Sequence, residues 1–252
     1  MHNQNRKVVA IVQARMGSTR LPGKVLMDIE GQAVLARVVQ RLARAKRVDE
    51  IVVATTTSPA DDAIVAETGR LGVKTFRGSE HDVLERYMQA AEASSADVIV
   101  RITSDCPLID AGVVDEVLRT FLAEHADFAY NDIPHSFPRG LDVEVFSLAS
   151  LLRISEISPQ KYGREHVTPA FYEHPEFFRT VVLRSDADFS DYRWTLDTPE
   201  DLRLIRAIYA HFAGRDDFGW REIVDLMQRS PELAAMNSHV VQKSAHEVAA
   251  HS

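Results

Sequence analysis

The chain has 252 residues, 45% of them hydrophobic, which is enough for one large α/β core and does not require two domains. No apolar stretch approaches the roughly 20 residues that cross a bilayer, and a single cysteine, Cys106, excludes an intramolecular disulfide; we expect a cytoplasmic protein without a membrane span. The net charge of −8 argues against binding of nucleic acid, although residues 1–47 hold ten lysines and arginines against two acids and so favour a small phosphorylated ligand.

The most informative segment follows the first predicted strand, near residues 7–13. This loop, residues 14–24, combines three fixed positive charges with two glycines and a serine: Arg15, Arg20, Lys24, Gly17, Gly23 and Ser18. Bare backbone N–H groups and guanidinium forks together can surround phosphate oxygens. A loop directly after a buried strand lies at the carboxyl edge of a sheet, where ligands bind, so we expect a nucleoside triphosphate here rather than a merely solvated surface.

Apolar runs typical of strands alternate with segments of helical period through the first 130 residues. The predicted strands lie near 7–13, 50–55, 73–76, 97–102 and 126–130. The predicted helices lie near 32–46, 59–71, 81–94 and 110–124. This order predicts an α/β fold with a doubly wound, mostly parallel sheet. In the first helix Arg37, Arg41 and Arg44 recur at helical spacing, which predicts a solvated face.

The pattern changes after Tyr130, and we interpret residues 131–175 as an insertion over the active site. Within it, 141–146 alternate in the manner of a half-exposed strand, and 147–174 are helical in pattern with an interruption at Pro169. Returning strands are expected at 176–183 and 191–196, and closing helices at 198–213 and 219–228. We therefore expect one domain over residues 1–230, followed by a loosely packed tail over 231–252.

Two carboxylates are candidates for metal binding. Asp105 follows the predicted strand near 97–102, so it faces the same crevice as the cationic loop. Asp197 lies where a short strand meets the helix that Thr198 and Pro199 begin. Mg²⁺ prefers one or two carboxylates together with phosphate oxygens and water, so the pair suits magnesium beside a triphosphate. Taken singly, Asp105 could equally form a turn, and Asp197 could cap the helix.

Two charged clusters lie in the insertion. The first places Asp142 and Glu144 on one face of a strand, beside Arg139, which could receive a carboxylate or a phosphate. The second contains Arg164 and His166. Surface ion pairs or subunit contacts would explain the same residues equally well.

The spacing of the cationic loop excludes two common phosphate motifs. Five residues lie between Gly17 and Gly23, where the Walker loop has four, and Val25 follows Lys24 in place of Ser or Thr, which rules out the Walker loop. No Gly-x-Gly-x-x-Gly follows the strand, which rules out the dinucleotide motif. The string Gln-Ala-Arg-Met-Gly-Ser-Thr-Arg-Leu-Pro-Gly-Lys at 13–24 instead resembles, nearly residue for residue, the signature loop of the sugar-activating cytidylyltransferases. It is most similar to the branch that includes spore-coat polysaccharide biosynthesis cytidylyltransferases, and CMP-octulosonate and CMP-sialate synthetases resemble it more distantly.

This resemblance implies a nucleotide-diphospho-sugar transferase-like fold and a homodimer, with the insertion covering the sugar site. Ser-Asp-Cys-Pro-Leu at 104–108 and Asp-Thr-Pro-Glu-Asp-Leu at 197–202 are similar to the family's metal-binding strings, which implies that Asp105 and Asp197 hold Mg²⁺ and act with Arg15 and Lys24 in catalysis. The residues implied to bind CTP are Ala14, Arg15, Gly17, Ser18, Arg20, Lys24, Ala54, Thr55, Thr56, Arg77 and Ser104. The residues whose positions resemble the acceptor-sugar region are Arg139, Asp142, Glu144, Arg164 and His166.

The expected reaction is transfer of CMP from CTP to an acidic sugar or related acceptor, with release of pyrophosphate, in surface polysaccharide or glycoconjugate biosynthesis. A glycosyltransferase is the enzymatic alternative, because residues 186–188 have the Asp-x-Asp spacing of that class, although the cationic loop would then be unexplained. A non-catalytic nucleotide-binding module on the same fold is the third interpretation.

Overall fold

A computed structural model describes residues 6–158 and 161–241. Its strands are β1 (Val8–Gln13), β2 (Asp28–Ile29), β3 (Gln32–Ala33), β4 (Glu50–Thr56), β5 (Lys74–Gly78), β6 (Val98–Thr103), β7 (Phe128–Tyr130), β8 (Glu144–Ser147) and β9 (Thr180–Val182). Its α-helices are α1 (Val34–Leu42), α2 (Asp62–Leu71), α3 (Val83–Ala93), α4 (Ala111–Ala123), α5 (Leu148–Ile157), α6 (Lys161–His166), α7 (Pro169–Glu173), α8 (Pro199–His211), α9 (Trp220–Arg229) and α10 (Pro231–Ala235). Two short 3-10 helices span Lys24–Leu26 and Pro59–Asp61.

The central sheet has seven strands in the order β5-β4-β1-β6-β8-β7-β9. Strands β5, β4, β1 and β6 run parallel, β7 and β9 pair in parallel, and β8 is antiparallel to both β6 and β7. The prediction of a doubly wound, mostly parallel sheet is therefore confirmed. None of the helices in the described ranges combines the length and the apolar composition needed to cross a bilayer.

Apolar residues cover both faces of the sheet, as the near-continuous apolar sequence of β1 requires. Ala10 and Val12 pack into one cluster with α1, α4, α8 and α9, while Val9 and Ile11 pack on the opposite face with α3, α5 and α7. The sheet is thus buried between two helical layers, and its carboxyl edge is left for a ligand.

The interpretation of the arginines of α1 as solvated is wrong for two of them, since Arg37 and Arg41 are each only 2% exposed. Arg37 donates to the carbonyls of Ile29, Glu30 and Gly214, and Arg41 donates to the carbonyls of Ile109, Asp216 and Phe218. Helical spacing puts both residues on one face of α1, but the chain segment after α8 covers that face. The guanidinium groups donate to the carbonyl oxygens of this segment, which would otherwise lack partners.

Three other predictions need correction. The half-exposed strand expected at 141–146 is instead β8 at Glu144–Ser147, and it is buried because Val145 packs into the cluster on one face of the sheet and Phe146 into the cluster on the other. Residues 191–196 form no named strand and contribute one isolated bridge between Arg139 and Arg193. The described part of the predicted tail is not loosely packed, because Leu233 and Met236 pack against the core and Asn237 is only 2% exposed. Residues 242–252 of that tail lie outside the described residues.

Candidate active site

A cavity of about 770 Å³ opens at the carboxyl edge of β1 and β6. Its lining includes much of the cationic loop and both candidate metal-binding carboxylates. The lining residues are Gln13, Ala14, Arg15, Gly17, Ser18, Thr19, Arg20, Lys24, Val25, Val83, Arg86, Arg101, Thr103, Ser104, Asp105, Glu165, His166 and Asp197. Every loop residue predicted to bind the triphosphate therefore faces this cavity, together with Ser104.

Backbone hydrogen bonds set the shape of the loop. The Met16 carbonyl accepts from Ser18 N at 2.9 Å and from Gly23 N at 3.1 Å, which folds the loop back on itself. Gly23 has a φ of 69°, a left-handed conformation that glycine adopts without steric cost, and the 3-10 helix carrying Lys24 starts there.

Asp61 ties this loop to the end of β4, a role that sequence reasoning missed. One carboxylate oxygen accepts from Met16 N at 2.8 Å, and the other accepts from the hydroxyls of Thr55 and Thr56. Burial opposes ionisation of Asp61, but these hydrogen bonds outweigh it and lower its pKa. Nothing in the sequence distinguishes Asp61 from an ordinary acid in the first turn of a helix.

Lys24 joins the two carboxylates. Its Nζ donates to Asp105 Oδ2 at 2.8 Å, to Asp197 Oδ1 at 2.9 Å and to the Leu196 carbonyl at 2.7 Å. Burial opposes the charge on Lys24, but the attraction of Asp105 and then of Asp197 outweighs it and raises the lysine pKa. For Asp105, burial is likewise outweighed by Lys24, which lowers the carboxyl pKa. Both groups are therefore held in their charged forms.

Asp197 is further neutralised by two arginines. Arg20 contacts Oδ1 at 2.9 Å, and Arg193 contacts Oδ2 at 2.8 Å. Arg193 also pairs with Asp201, a fully buried carboxylate that accepts from the backbone N–H groups of Asp197 and Thr198. The predicted helix cap at Thr198 is present as a reciprocal capping box with Asp201. This network fixes the position of Asp197.

Two cavity arginines were missed by sequence reasoning. Arg86 is 2% exposed and donates to the Ser79 carbonyl, and no ion pair of the described chain involves it. Burial, together with the nearby Arg15, lowers its pKa. Arg101 lies two residues before Thr103 on β6 and forms an ion pair with Glu144. The signal for Arg101 was its place near the carboxyl end of a central strand; Arg86 lies within a helix and carried no such signal.

Four of the predicted nucleoside contacts do not line the cavity. Ala54, Thr55 and Thr56 are at most 1% exposed, and the two hydroxyls are used by Asp61. Arg77 donates to the Thr56 and Ser58 carbonyls and pairs with Asp62, so it braces the loop after β4. The side chains of Thr55, Thr56 and Arg77 are thus bound to protein groups, and contact of these four residues with the base or ribose stays a prediction.

Of the five predicted acceptor residues, one lines the cavity and four do not. His166 lines the cavity, next to Glu165. Glu144 is buried, with Oε1 accepting from Thr168 at 2.8 Å and from Tyr172 at 3.2 Å while Oε2 pairs with Arg101.

The other three predicted acceptor residues are occupied elsewhere. Arg164 binds Asp82 at the start of α3, and Arg139 donates to His135 Nε2 at 2.8 Å. Asp142 lies near His135, and burial raises its pKa to about 6. Apart from His166, the predicted acceptor residues therefore do not line this cavity.

The Asp-x-Asp spacing at 186–188 does not form a second metal site. The side chain of Asp186 is 67% exposed and pairs with Arg221, and Asp188 accepts a hydrogen bond from Ser190 N. Neither residue lines the cavity.

The donor set at Asp105 and Asp197 fits magnesium. Each carboxylate has an oxygen within 2.9 Å of one cationic nitrogen, and Mg²⁺ takes oxygen ligands from one or two carboxylates beside substrate phosphates. Among the described residues no group of three or more His, Cys, Asp or Glu side chains forms a self-sufficient metal site. A metal at this pair would need ligands from the substrate as well.

Together, the parallel sheet, the cationic glycine loop at its carboxyl edge and the paired carboxylates define a nucleotidyltransferase of the nucleotide-diphospho-sugar transferase fold. Residues 9–215 match the family model described as cytidylyltransferase, and the chain belongs to that family.

Proteins that are similar to this chain support the same family assignment. The chain is 35% identical over 234 residues to the spore coat polysaccharide biosynthesis protein SpsF of Bacillus subtilis, covering 90% of this chain and 96% of that protein. A solved cytidylyltransferase from Leptospira borgpetersenii is 35% identical with a TM-score of 0.88, over 91% of this chain and 97% of the other. CMP:2-keto-3-deoxy-manno-octonic acid synthetase, solved with CTP, shares the fold with a TM-score of 0.63 at 20% identity, over 82% and 99%.

Proposed function

We propose that this cytidylyltransferase transfers CMP from CTP to an acidic sugar or related acceptor, with Mg²⁺ as cofactor and pyrophosphate as the second product. The observation that carries the proposal is the convergence of Asp105 and Asp197 on Lys24, beside a cationic glycine loop. This arrangement supplies carboxylates for a metal and positive charge for a triphosphate in one cavity.

In the proposed reaction an acceptor hydroxyl oxygen attacks the α-phosphorus of CTP. A new O–P bond forms, the bond from the α-phosphorus to the bridging oxygen breaks, and pyrophosphate leaves with that electron pair while the hydroxyl proton is released. Arg15 and Lys24, helped by Ser18 and Arg20, would bind the phosphate oxygens, on which negative charge accumulates. When bound by Asp105 and Asp197, Mg²⁺ would supply further neutralisation of that charge.

Arg86 supports an anionic ligand independently of the loop. Arg86 is buried and forms no direct ion pair among the described residues, although Asp61 and Glu80 are near enough to favour its charge, and a phosphate group in the cavity would give it a direct anionic partner. The proximity of Arg15 to Arg86 makes this part of the cavity doubly positive. We assign Arg86 to the triphosphate.

The acceptor side of the proposal rests on the insertion and on the relatives. Glu165 and His166 bring α6 to the cavity wall, and Arg101, which is paired with Glu144, lines the same cavity. One relative is named for spore coat polysaccharide biosynthesis, and one structural neighbour is named as a synthetase that joins CMP to an acidic sugar. We extend that acceptor class to this chain.

We further propose that the protein works as a homodimer in the cytoplasm. Leu152, Ile157 and Phe177 are exposed apolar side chains in or next to the insertion, with Phe177 54% exposed, and a second copy would cover them. The single cysteine fits a reducing compartment.

The test is to incubate the purified full chain with CTP, Mg²⁺ and a panel of acceptors that includes 3-deoxy-manno-octulosonate, N-acetylneuraminate and neutral sugars. We expect pyrophosphate release and a CMP-linked product, identified by mass, with an acidic member of the panel. Asp105→Asn is the control for contaminating activity. Glycosyl transfer from a nucleotide sugar without pyrophosphate release would instead support the glycosyltransferase alternative.

A further inference from the structure

All three donors of the Lys24 ammonium are in use. A protonated lysine has three N–H groups, and in this structure they are accepted by Asp105, Asp197 and the Leu196 carbonyl, at distances between 2.7 and 2.9 Å. Lys24 is 9% exposed, so most of its surface is out of contact with water. A phosphate oxygen can gain a hydrogen bond from Lys24 only if one of these three contacts is given up.

A metal ion needs the same oxygens. Asp105 Oδ2 and Asp197 Oδ1 both contact Nζ, Arg20 also contacts Asp197 Oδ1, and Arg193 holds the other oxygen of Asp197. An ammonium and a divalent cation cannot share the position between the two carboxylates, because their positive charges repel and they compete for the same lone pairs. A metal ion that takes Asp105 Oδ2 and Asp197 Oδ1 must therefore displace Lys24.

We propose that Lys24 is a tethered cation that closes the metal site, and that a triphosphate opens it by drawing the ammonium to its own oxygens. The metal then binds weakly alone and tightly together with the nucleotide. This inference rests on the proposed function only in taking Asp105 and Asp197 as the metal-binding pair.

The local structure permits this exchange without a change of fold. Lys24 begins a 3-10 helix directly after the left-handed Gly23, and its backbone N–H is held by the Leu21 carbonyl. The long, flexible lysine side chain can therefore move while its Cα stays in place. Arg15 and Ser18 line the same cavity, so the new partner would be close by.

Thermodynamic linkage makes the effect reciprocal. If the triphosphate increases the affinity for the metal by removing Lys24 from the carboxylates, the metal increases the affinity for the triphosphate by the same factor. The arrangement favours entry of the metal and the nucleotide as one complex.

The test measures Mn²⁺ binding in the absence of any nucleotide, by electron paramagnetic resonance of the free ion. It compares the wild type with Lys24→Met, which removes the ammonium, and with Lys24→Gln, which also removes the charge but keeps a donor and stands in if Lys24→Met does not fold. Arg15→Met is the matched control, because it removes a positive charge from the same cavity but is not an ion-pair partner of either carboxylate.

We expect both Lys24 variants to bind Mn²⁺ at least tenfold more tightly than the wild type, and Arg15→Met to stay within twofold of it. The ratio should persist between 0.05 and 0.5 M KCl, since direct competition is screened far less than repulsion at a distance. Equal Mn²⁺ affinity in wild type and Lys24 variants would overturn the proposal, as would an increase of similar size in Arg15→Met. Failure of the wild type to turn over CTP would overturn the proposed function alone.

Discussion

The cationic loop, residues 14–24, and the predicted insertion, residues 131–175, both bear charged side chains, but these side chains have different partners. In the loop, Arg15, Gly17, Ser18 and Arg20 face the cavity. In the insertion, four of the five predicted acceptor residues bind other protein groups instead, as Glu144 binds Arg101 and Arg164 binds Asp82. Lys24, Asp105 and Asp197 line the cavity although they pair with one another, so a charged residue in a sequence identifies a binding site by the cavity that it lines and not by its charge alone.

The largest expected effect concerns the carboxylates opposite the loop. Asp105→Asn keeps the shape of the side chain but removes the charge that Lys24 and a metal require. We expect kcat to fall by about 100- to 1,000-fold, in the range for loss of a group that stabilises transition-state charge. Pyrophosphate release measures the effect, and urea unfolding checks that the fold is retained. Activity above a tenth of the wild-type level would remove Asp105 from the metal site.

The next effect tests whether Glu144 is a structural or a substrate residue. Glu144→Gln leaves the largely buried Arg101, whose side chain is 16% exposed, without its counter-charge, so we expect the free energy of unfolding to fall by about 3 kcal/mol. The matched control is Glu124→Gln, whose pair with Arg179 is exposed, and which should change stability by less than about 0.5 kcal/mol. Urea unfolding measures both variants. Unchanged stability with a raised KM for the acceptor would restore Glu144 to the substrate site.

The third prediction compares Arg86, which lines the cavity, with Arg77, which is not in its lining. We expect Arg86→Met to raise the KM for CTP at least tenfold, a loss of about 1.4 kcal/mol, because it removes the cation that we assign to the triphosphate. The stability of Arg86→Met should stay close to that of the wild type, since the buried charge that is lost forms no direct ion pair with a carboxylate of the described chain. Arg77→Met should leave that KM within twofold. Steady-state kinetics distinguish them, and equal effects would mean that Arg77 reaches the nucleotide.

The smallest effect is a pH dependence inside the insertion. Burial, aided by Arg139, lowers the pKa of His135 from 6.5 to about 4. The folded state therefore binds this proton less tightly than the unfolded chain, so His135 costs stability progressively as the pH falls from about 6.5 toward 4. Unfolding at pH 7 and pH 5 should show that His135→Asn loses less stability than the wild type, by on the order of 1 kcal/mol. Parallel profiles for the two proteins would show that His135 titrates normally.

The fold and the loop were predictable because their signals are local. Strand and helix periodicity gave the sheet, and a continuous string of residues identified the loop and the cap before α8. The partners of Arg37 and Arg41 were not predictable, since the acceptors at Gly214 and Phe218 each lie 177 residues away along the chain. Arg193 was missed for a similar reason. Its pairing with Asp201, to which Asn237 also donates, is formed only when the folded chain brings these residues together.

The most direct test of the central claim is thermal unfolding of the protein with CTP, UTP, GTP, ATP and dTTP, each with and without Mg²⁺. A ligand at about a hundredfold its dissociation constant should stabilise the folded state by roughly 2.7 kcal/mol. The account predicts a shift that is selective for CTP and larger with Mg²⁺, since Asp105 and Asp197 need both the metal and the phosphates to replace Lys24. No shift with any triphosphate, or an equal shift with all five that ignores Mg²⁺, would contradict it.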